Sequence, residues 1–189
     1  MGVRVGLGRT IPVNIGTRAA PEFDEVFLVH YRSTVRVLCR LVGNTARAEE
    51  LADDLFLRLY RRPLPPGKSH NMGAWLYRAA VRLGLNELTA STRRRNRENA
   101  APAPNPVHGP LEQMLKEERA ANVRATLAGL KRKHAELLTL HASDLSYGEI
   151  ADAMRINPSS VGTLLKRAKQ AFEREYRARF GEEPPHERR

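Results

Sequence analysis

The sequence contains one cysteine, Cys39, which excludes an internal disulfide and any zinc site built from several thiolates. No apolar run approaches the roughly 20 residues that a membrane-spanning helix needs. The first twenty positions also lack the continuous apolar block of a secretion signal. A reducing, cytoplasmic setting without membrane insertion is therefore expected. The histidines give no metal-ligand spacing: His134 and His141 lie two helical turns apart, and a helix partner or solvent explains both. No glycine-rich phosphate loop, nucleophile with a base, or paired-carboxylate site stands out, so no catalysis, metal, cofactor or small-molecule substrate is expected. Acidic residues are few beside basic ones, 21 against 32, leaving a formal net charge of +11. That excess calls for a polyanionic partner, nucleic acid first and an acidic membrane surface second.

The most informative stretch is Leu145 to Tyr176. Apolar residues at Ile150, Met154, Ile156, Val161, Leu164 and Leu165 fit a short helix, a tight turn and a second helix sharing one small core. Ser146 followed by Glu149 forms a capping box that starts the first helix at Tyr147. Asn157-Pro158 breaks the chain and restarts it, because proline disfavours helix in the residue before it and suits the first turn after it. Arg155 occupies the turn position where such motifs usually carry glycine, so a reshaped turn is one expectation. The second helix should bury Val161, Leu165, Ala168 and Phe172 and turn Ser159, Thr163, Lys166 and Gln170 to solvent. A short-polar and basic outer face suits the major groove of DNA. A helical hairpin packed within a larger bundle is the plainer alternative.

Residues 1–20 carry Arg4, Arg9 and Arg18, no acid and four glycines, and read as a flexible arm. From Phe23 to Val42 the spacing predicts helix one, stopped by Gly43. After Asn44, a candidate N-cap, an apolar stripe of Ala48, Leu51, Ala52, Leu55 and Leu59 predicts helix two. Its other face carries Glu49, Glu50, Asp53 and Asp54. Part of this cluster could serve the helix dipole, but in so basic a chain it suggests a basic protein partner. Residues 61–73 hold three prolines and two glycines and read as a loop. Helix three is expected from Asn71 or Met72 to about Ser91, with Trp75, Leu76, Ala80 and Leu83 as core. Basic residues dominate from Arg61 to Arg97, where Glu87 is the single acid. Such a surface bearing Trp75 and Tyr77 suits single-stranded nucleic acid, although for Trp75 itself the core-anchor reading is the preferred one. Residues 98–110 are proline-rich and read as a linker. Helix four is marked by Leu111, Leu115 and Ala125, helix five by Leu130, Leu137 and Leu138, and residues 182–189 read as a tail. The expected fold class is all-α: two small helical domains, 21–97 and 111–181, joined by the proline-rich linker.

Together these pieces resemble the bacterial sigma-70 family, specifically its extracytoplasmic-function (ECF) sigma factors, over about Phe23 to Tyr176. Ala48-Glu49-Glu50-Leu51 through Asp54 to Phe56 is similar to the family's AEDLVQETF stretch, Ala74-Trp75-Leu76-Tyr77-Arg78 to AWLYRI, and Leu145 to Ala151 to LSYEEIA. The resemblance implies a region 2-like domain over 21–97, a region 4-like domain over 111–181, and promoter recognition, melting and transcription initiation with core RNA polymerase. It implies that Glu49, Glu50, Asp53 and Asp54 meet the polymerase, and that the linker lies along it. The minus-ten element would be captured by the loop and third helix, including Lys68, Asn71, Trp75, Tyr77, Arg78, Arg82, Asn86, Arg93, Arg94 and Arg95. The minus-thirty-five element would meet Ser159, Ser160, Thr163, Lys166, Arg167, Lys169 and Gln170. An anti-sigma factor is a further admissible partner.

Five positions depart from the family pattern. Val81-Arg82 replaces Arg-Asn, Asn86 stands where Asp is common, and Gly162 and Leu164 stand where long basic residues are frequent. Minus-ten readout could therefore differ, and minus-thirty-five readout could rest on close backbone approach. The competing reading is a stand-alone helix-turn-helix regulator of duplex operators, which has no evident need for the acidic helix two.

Overall fold

The computed structural model describes residues 20–61, 72–97, 111–181 and 184. Seven helices occupy them: α1 Ala20–Val42, α2 Thr45–Arg61, α3 Met72–Arg97, α4 Leu111–Gly129, α5 Arg132–His141, α6 Tyr147–Met154 and α7 Pro158–Phe180. Of the expected loop 61–73, Arg61 closes α2 and residues 72–73 open α3, while residues 62–71, the arm before residue 20 and the linker lie outside the described residues.

Helix α1 stops where Gly43 takes a φ of 71°. Asn44 then caps α2, its Oδ1 accepting from the Arg47 backbone N–H at 2.9 Å. The predicted stripe of α2 is buried as expected, with Phe56 added to it. Phe23, Phe27 and Tyr31 of α1 meet Phe56 and Tyr60 of α2 in an aromatic cluster whose centroids lie 4.7 to 6.5 Å apart. This cluster fixes α2 against α1 and leaves the acidic side of α2 facing outward. Leu38 and Leu41 of α1 are fully covered, each such burial being worth about 1.5–3 kcal/mol. Gly84 lets α3 cross α1 closely: a Cβ there would lie 2.6 Å from Leu41 Cδ1.

Two details of α3 correct the sequence reading. The helix runs to Arg97 rather than about Ser91, because Arg is a good helix former and the Arg93–Arg95 run continues the turn. Its core is Leu76, Ala80, Val81, Leu85 and Leu88, while Trp75 and Leu83 are only half-buried. A single stripe was the wrong template, since α3 packs against α1 and α2 and also against α4, α5 and α6.

The second half closes on α7. Helix α6 begins with the predicted capping box: Ser146 Oγ accepts from the Glu149 N–H, and Glu149 accepts from the Ser146 N–H. The expected reshaping of the turn does not occur. Arg155 itself takes the left-handed conformation, φ 54°, and caps α6 through its N–H, at a strain of order 1 kcal/mol or more for a non-glycine residue. Asn157 caps α7 and Pro158 occupies its first turn. Val161, Leu165 and Ala168 are buried as read. Phe172 is only half-buried, and Tyr176, 2% exposed, completes the stripe one turn later. Leu115, one of the residues that marked helix four, lies on α4 and is exposed.

Candidate nucleic-acid interface and acidic docking face

All four carboxylates of α2, Glu49, Glu50, Asp53 and Asp54, are exposed. Two are tied from within. The Tyr31 hydroxyl donates to Asp53 Oδ1 at 2.7 Å. That bond, then burial and the charges of Asp53 and Glu49, push the Tyr31 phenol up to about 12. Arg47 donates to Glu50 at 2.8 Å and to Glu87 of α3 at 2.9 Å. Its hydrogen bonds to Glu87 and then Glu50 hold the guanidinium above its ordinary value. Among the described residues Glu49 and Asp54 make no hydrogen bond or ion pair. The face therefore presents two fixed carboxylates beside two available ones, at a scale that suits basic side chains of a partner.

The predicted residues of α3 divide. Trp75 and Tyr77 are half-buried and pack against the core, so Trp75 acts at least partly as an anchor. Arg93, Arg94 and Arg95 stand exposed on the last turns. Arg78, Arg82 and Asn86 follow one another at i, i+4 and i+8 and form one polar stripe. Arg78 is half-buried, and its Nε is buried without a hydrogen-bond partner. Burial, then the charges of Arg82 and Arg155, hold its guanidinium below the ordinary value. Lys68 and Asn71 lie outside the described residues.

On α7 the side chains expected on the outer face are mostly exposed. Ser159, Thr163, Lys166, Arg167, Lys169 and Gln170 are exposed and Ser160 is half-buried. The Ser159 hydroxyl donates to Asn157 Oδ1 at 2.8 Å, so its proton is committed and its lone pairs remain for a ligand. An open groove of about 480 Å³ runs between this face and α5, lined by Ser159, Ser160, Thr163 and Arg167 and also by Lys133. Lys133 was missed in the sequence because it lies outside the helix-turn-helix stretch, and only the packing of α5 on α7 brings it there. A second open groove holds Tyr147, Gly162, Lys166 and Lys169. A Cβ at Gly162 would sit 3.7 Å from Tyr147 Cε2, an ordinary contact, so nothing inside the fold demands glycine there.

The chemistry of the molecule is therefore that of two polar surfaces of opposite sign. Among the described residues no group of His, Cys, Asp and Glu could hold a metal ion, and no helix is long and apolar enough to cross a membrane.

Two family models match the chain and together cover well over half of it. One, described as sigma-70 region 2, spans residues 26–94, and one, described as sigma-70 region 4, spans residues 120–172. The RNA polymerase sigma-H factor of Pseudomonas aeruginosa is 26% identical over 163 residues, 80% of this chain and 84% of that protein. The ECF RNA polymerase sigma factor SigE of Mycolicibacterium smegmatis is 29% identical over 175 residues, 87% of this chain and 65% of that protein. Among solved structures, CnrH in complex with the cytosolic domain of CnrY matches with a TM-score of 0.52 and 18% identity, over 84% of this chain and 89% of that one. At that identity the likeness is one of fold.

Proposed function

The chain belongs to the sigma-70 family, in its extracytoplasmic-function branch, and from that membership we propose how its surfaces divide the work of a sigma factor. The acidic face of α2 docks on core RNA polymerase. The basic α3, with Arg78, Arg82, Asn86 and Arg93 to Arg95, captures the melted minus-ten strand. The exposed face of α7 reads the minus-thirty-five element, with Lys133 of α5 adding a phosphate contact. An anti-sigma factor completes the proposed partners, and the solved relative CnrH is likewise held by a domain of another protein. The role is to bind and position rather than to transform a substrate, and its place is the cytoplasm, where polymerase and promoters are.

The observation that carries this reading is the exposed carboxylate face of α2 in a chain of net charge +11. A stand-alone regulator would have no use for an acid surface held in place by Tyr31 and Arg47. The test is a titration of labelled chain against purified bacterial core polymerase, beside a titration against duplex promoter DNA without polymerase. The reading expects tight core binding and weak duplex binding by the free chain. Strong operator binding by a dimer, with no affinity for core, would replace it with the stand-alone regulator.

A further inference from the structure

The docking face of α2 is not purely acidic. Leu57 is exposed one turn beyond Asp53 and Asp54, and so lies beside both on the same side of the helix. Tyr60, also exposed, sets its ring edge against Phe23 of α1, with centroids 5.1 Å apart. Leu28 of α1 is 79% exposed and lies one turn before Tyr31, whose hydroxyl holds Asp53. Helical spacing therefore sets an uncovered leucine on each helix next to the Tyr31–Asp53 bond. Scattered apolar side chains on a surface are ordinary, but three grouped around one acidic face form a surface suited to a partner that is both cationic and aliphatic. Residues 1–19 of the same chain have that composition. Positions 3, 5, 7, 11, 13 and 15 are Val, Leu or Ile, Arg4 and Arg9 stand among them, and no acid occurs.

We propose that residues 1–19 fold back onto this face in the free chain, with Arg4 and Arg9 on the α2 carboxylates and the aliphatic side chains on Leu28, Leu57 and Tyr60, and that polymerase displaces them when it binds. The proposal rests on α2 being the polymerase-docking face. Reach permits the contact. Arg9 lies eleven residues before Ala20, a span of about 36–40 Å when extended. Tyr31, which meets Asp53, lies eleven residues along α1, about 16 Å from the helix start. Charge is complementary as well, because the exposed Glu49 and Asp54 are the available carboxylates and the segment brings two arginines without an acid. Tethering raises the local concentration of the segment to about the millimolar range, so weak contacts suffice to occupy the face. Exposed ion pairs are individually weak and screened by salt, so the cover yields to a partner that binds the same face with a larger surface.

The test uses the full chain in two measurements. With p-benzoylphenylalanine in place of Leu57, irradiation of the dilute free chain should join position 57 to a peptide within residues 1–19 of the same molecule, identified by mass spectrometry. Arg4→Gln with Arg9→Gln should cut the yield several-fold, as should about 1 M salt, where the screening length falls to roughly 3 Å. In a titration against core polymerase at low salt, Arg4→Gln with Arg9→Gln should bind about tenfold more tightly than wild type if the segment covers the face in about nine molecules of ten, since apparent affinity scales with the competent fraction. Leu28→Ser, which leaves α2 untouched, should shift affinity in the same direction by about threefold or more. Arg119→Gln with Arg174→Gln, exposed positions on α4 and α7 that match the charge change, should bind as wild type. An adduct confined to other parts of the chain or formed only between two molecules, a yield indifferent to the arginine changes, or core affinity unchanged or lowered in either releasing variant would each overturn the proposal. The premise is read separately: if Asp53→Lys with Asp54→Lys leaves core affinity intact, α2 is not the polymerase face, whereas the crosslink is formed without polymerase and reports on the fold-back contact alone.

Discussion

The Tyr31 hydroxyl of α1 donates a 2.7 Å hydrogen bond to Asp53 Oδ1 of α2, so the aromatic cluster that fastens the two helices also orients a carboxylate on the docking face. The bond holds the phenol in its neutral form. Stability from it is present below the ordinary tyrosine value of 10.0 and is lost as pH rises through the folded value of about 12. Asp53→Asn should therefore return the Tyr31 titration, followed by phenolate absorbance, towards 10.0. A titration that does not move would show that burial rather than Asp53 sets it.

Asp53→Lys with Asp54→Lys should weaken core polymerase binding about a hundredfold or more, because like charges then face the partner at a cost of several kcal/mol. Helical circular dichroism should persist. Exposed changes move stability by about 0.5 kcal/mol each, and losing the Tyr31 bond adds roughly 1 kcal/mol. Unchanged core affinity in a pull-down titration would remove α2 from the interface.

The capping box of α6 gives an acid-side prediction. The Ser146 hydroxyl, then its backbone N–H, hold the Glu149 carboxyl below its ordinary 4.5. A depressed carboxyl contributes stability above its unfolded value and loses it as pH falls through the folded one. Ser146→Ala should cost about 1 kcal/mol near neutrality, and the gap to wild type in urea unfolding should narrow once pH drops below that range. A gap independent of pH would assign the cost to the Ser146 cap alone.

On α7, Lys166→Ala should weaken promoter complexes about equally on all upstream sequences and reduce the salt slope by roughly one unit, as for one lost phosphate contact. Thr163→Ala should instead lose about 1 kcal/mol of discrimination between the preferred and a scrambled upstream element, the low end for a base contact because one hydroxyl is not bidentate. Open-complex formation by each variant over a salt series decides between them. Discrimination lost with Lys166→Ala and kept with Thr163→Ala would reverse the assignment of the two positions.

We propose 98–110 as the linker between two folding units, and limited proteolysis tests it. Cleavage there should yield fragments near 21–97 and 111–181 that each keep helical circular dichroism. The pieces should co-elute at low salt through the Arg82–Glu136 and Arg132–Asn86 contacts and separate as salt screens the half-exposed ion pair. Halves that unfold on separation would contradict the division.

Local signals in the chain carried much of this fold. The Asn44 cap, the α2 stripe, the Ser146–Glu149 box and the Asn157-Pro158 restart each depend on residues within a few positions of one another, and each is present in the structure. The acidic face and the outer face of α7 were legible for the same reason, since helical spacing fixes which side chains share a side. What stayed hidden depends on distant partners. Val81, Leu85 and Leu88 are core because α3 packs against α1 and α2 and also against α4, α5 and α6, which no single stripe announces. Arg132 and Glu136 show a plain i, i+4 pair in sequence, and only the packing of α5 on α3 turns it towards Arg82 and Asn86. The left-handed Arg155 was flagged by its place in the turn, yet only the structure shows that the strain is accepted rather than avoided.

Run-off transcription with purified bacterial core polymerase on a pool of genomic fragments tests the central claim most directly. Addition of the chain should produce discrete transcripts from a subset of fragments that core alone does not transcribe, and the Asp53→Lys, Asp54→Lys variant should produce none. Absence of any chain-dependent transcript, with the chain instead protecting duplex operators in the absence of polymerase, would contradict the account.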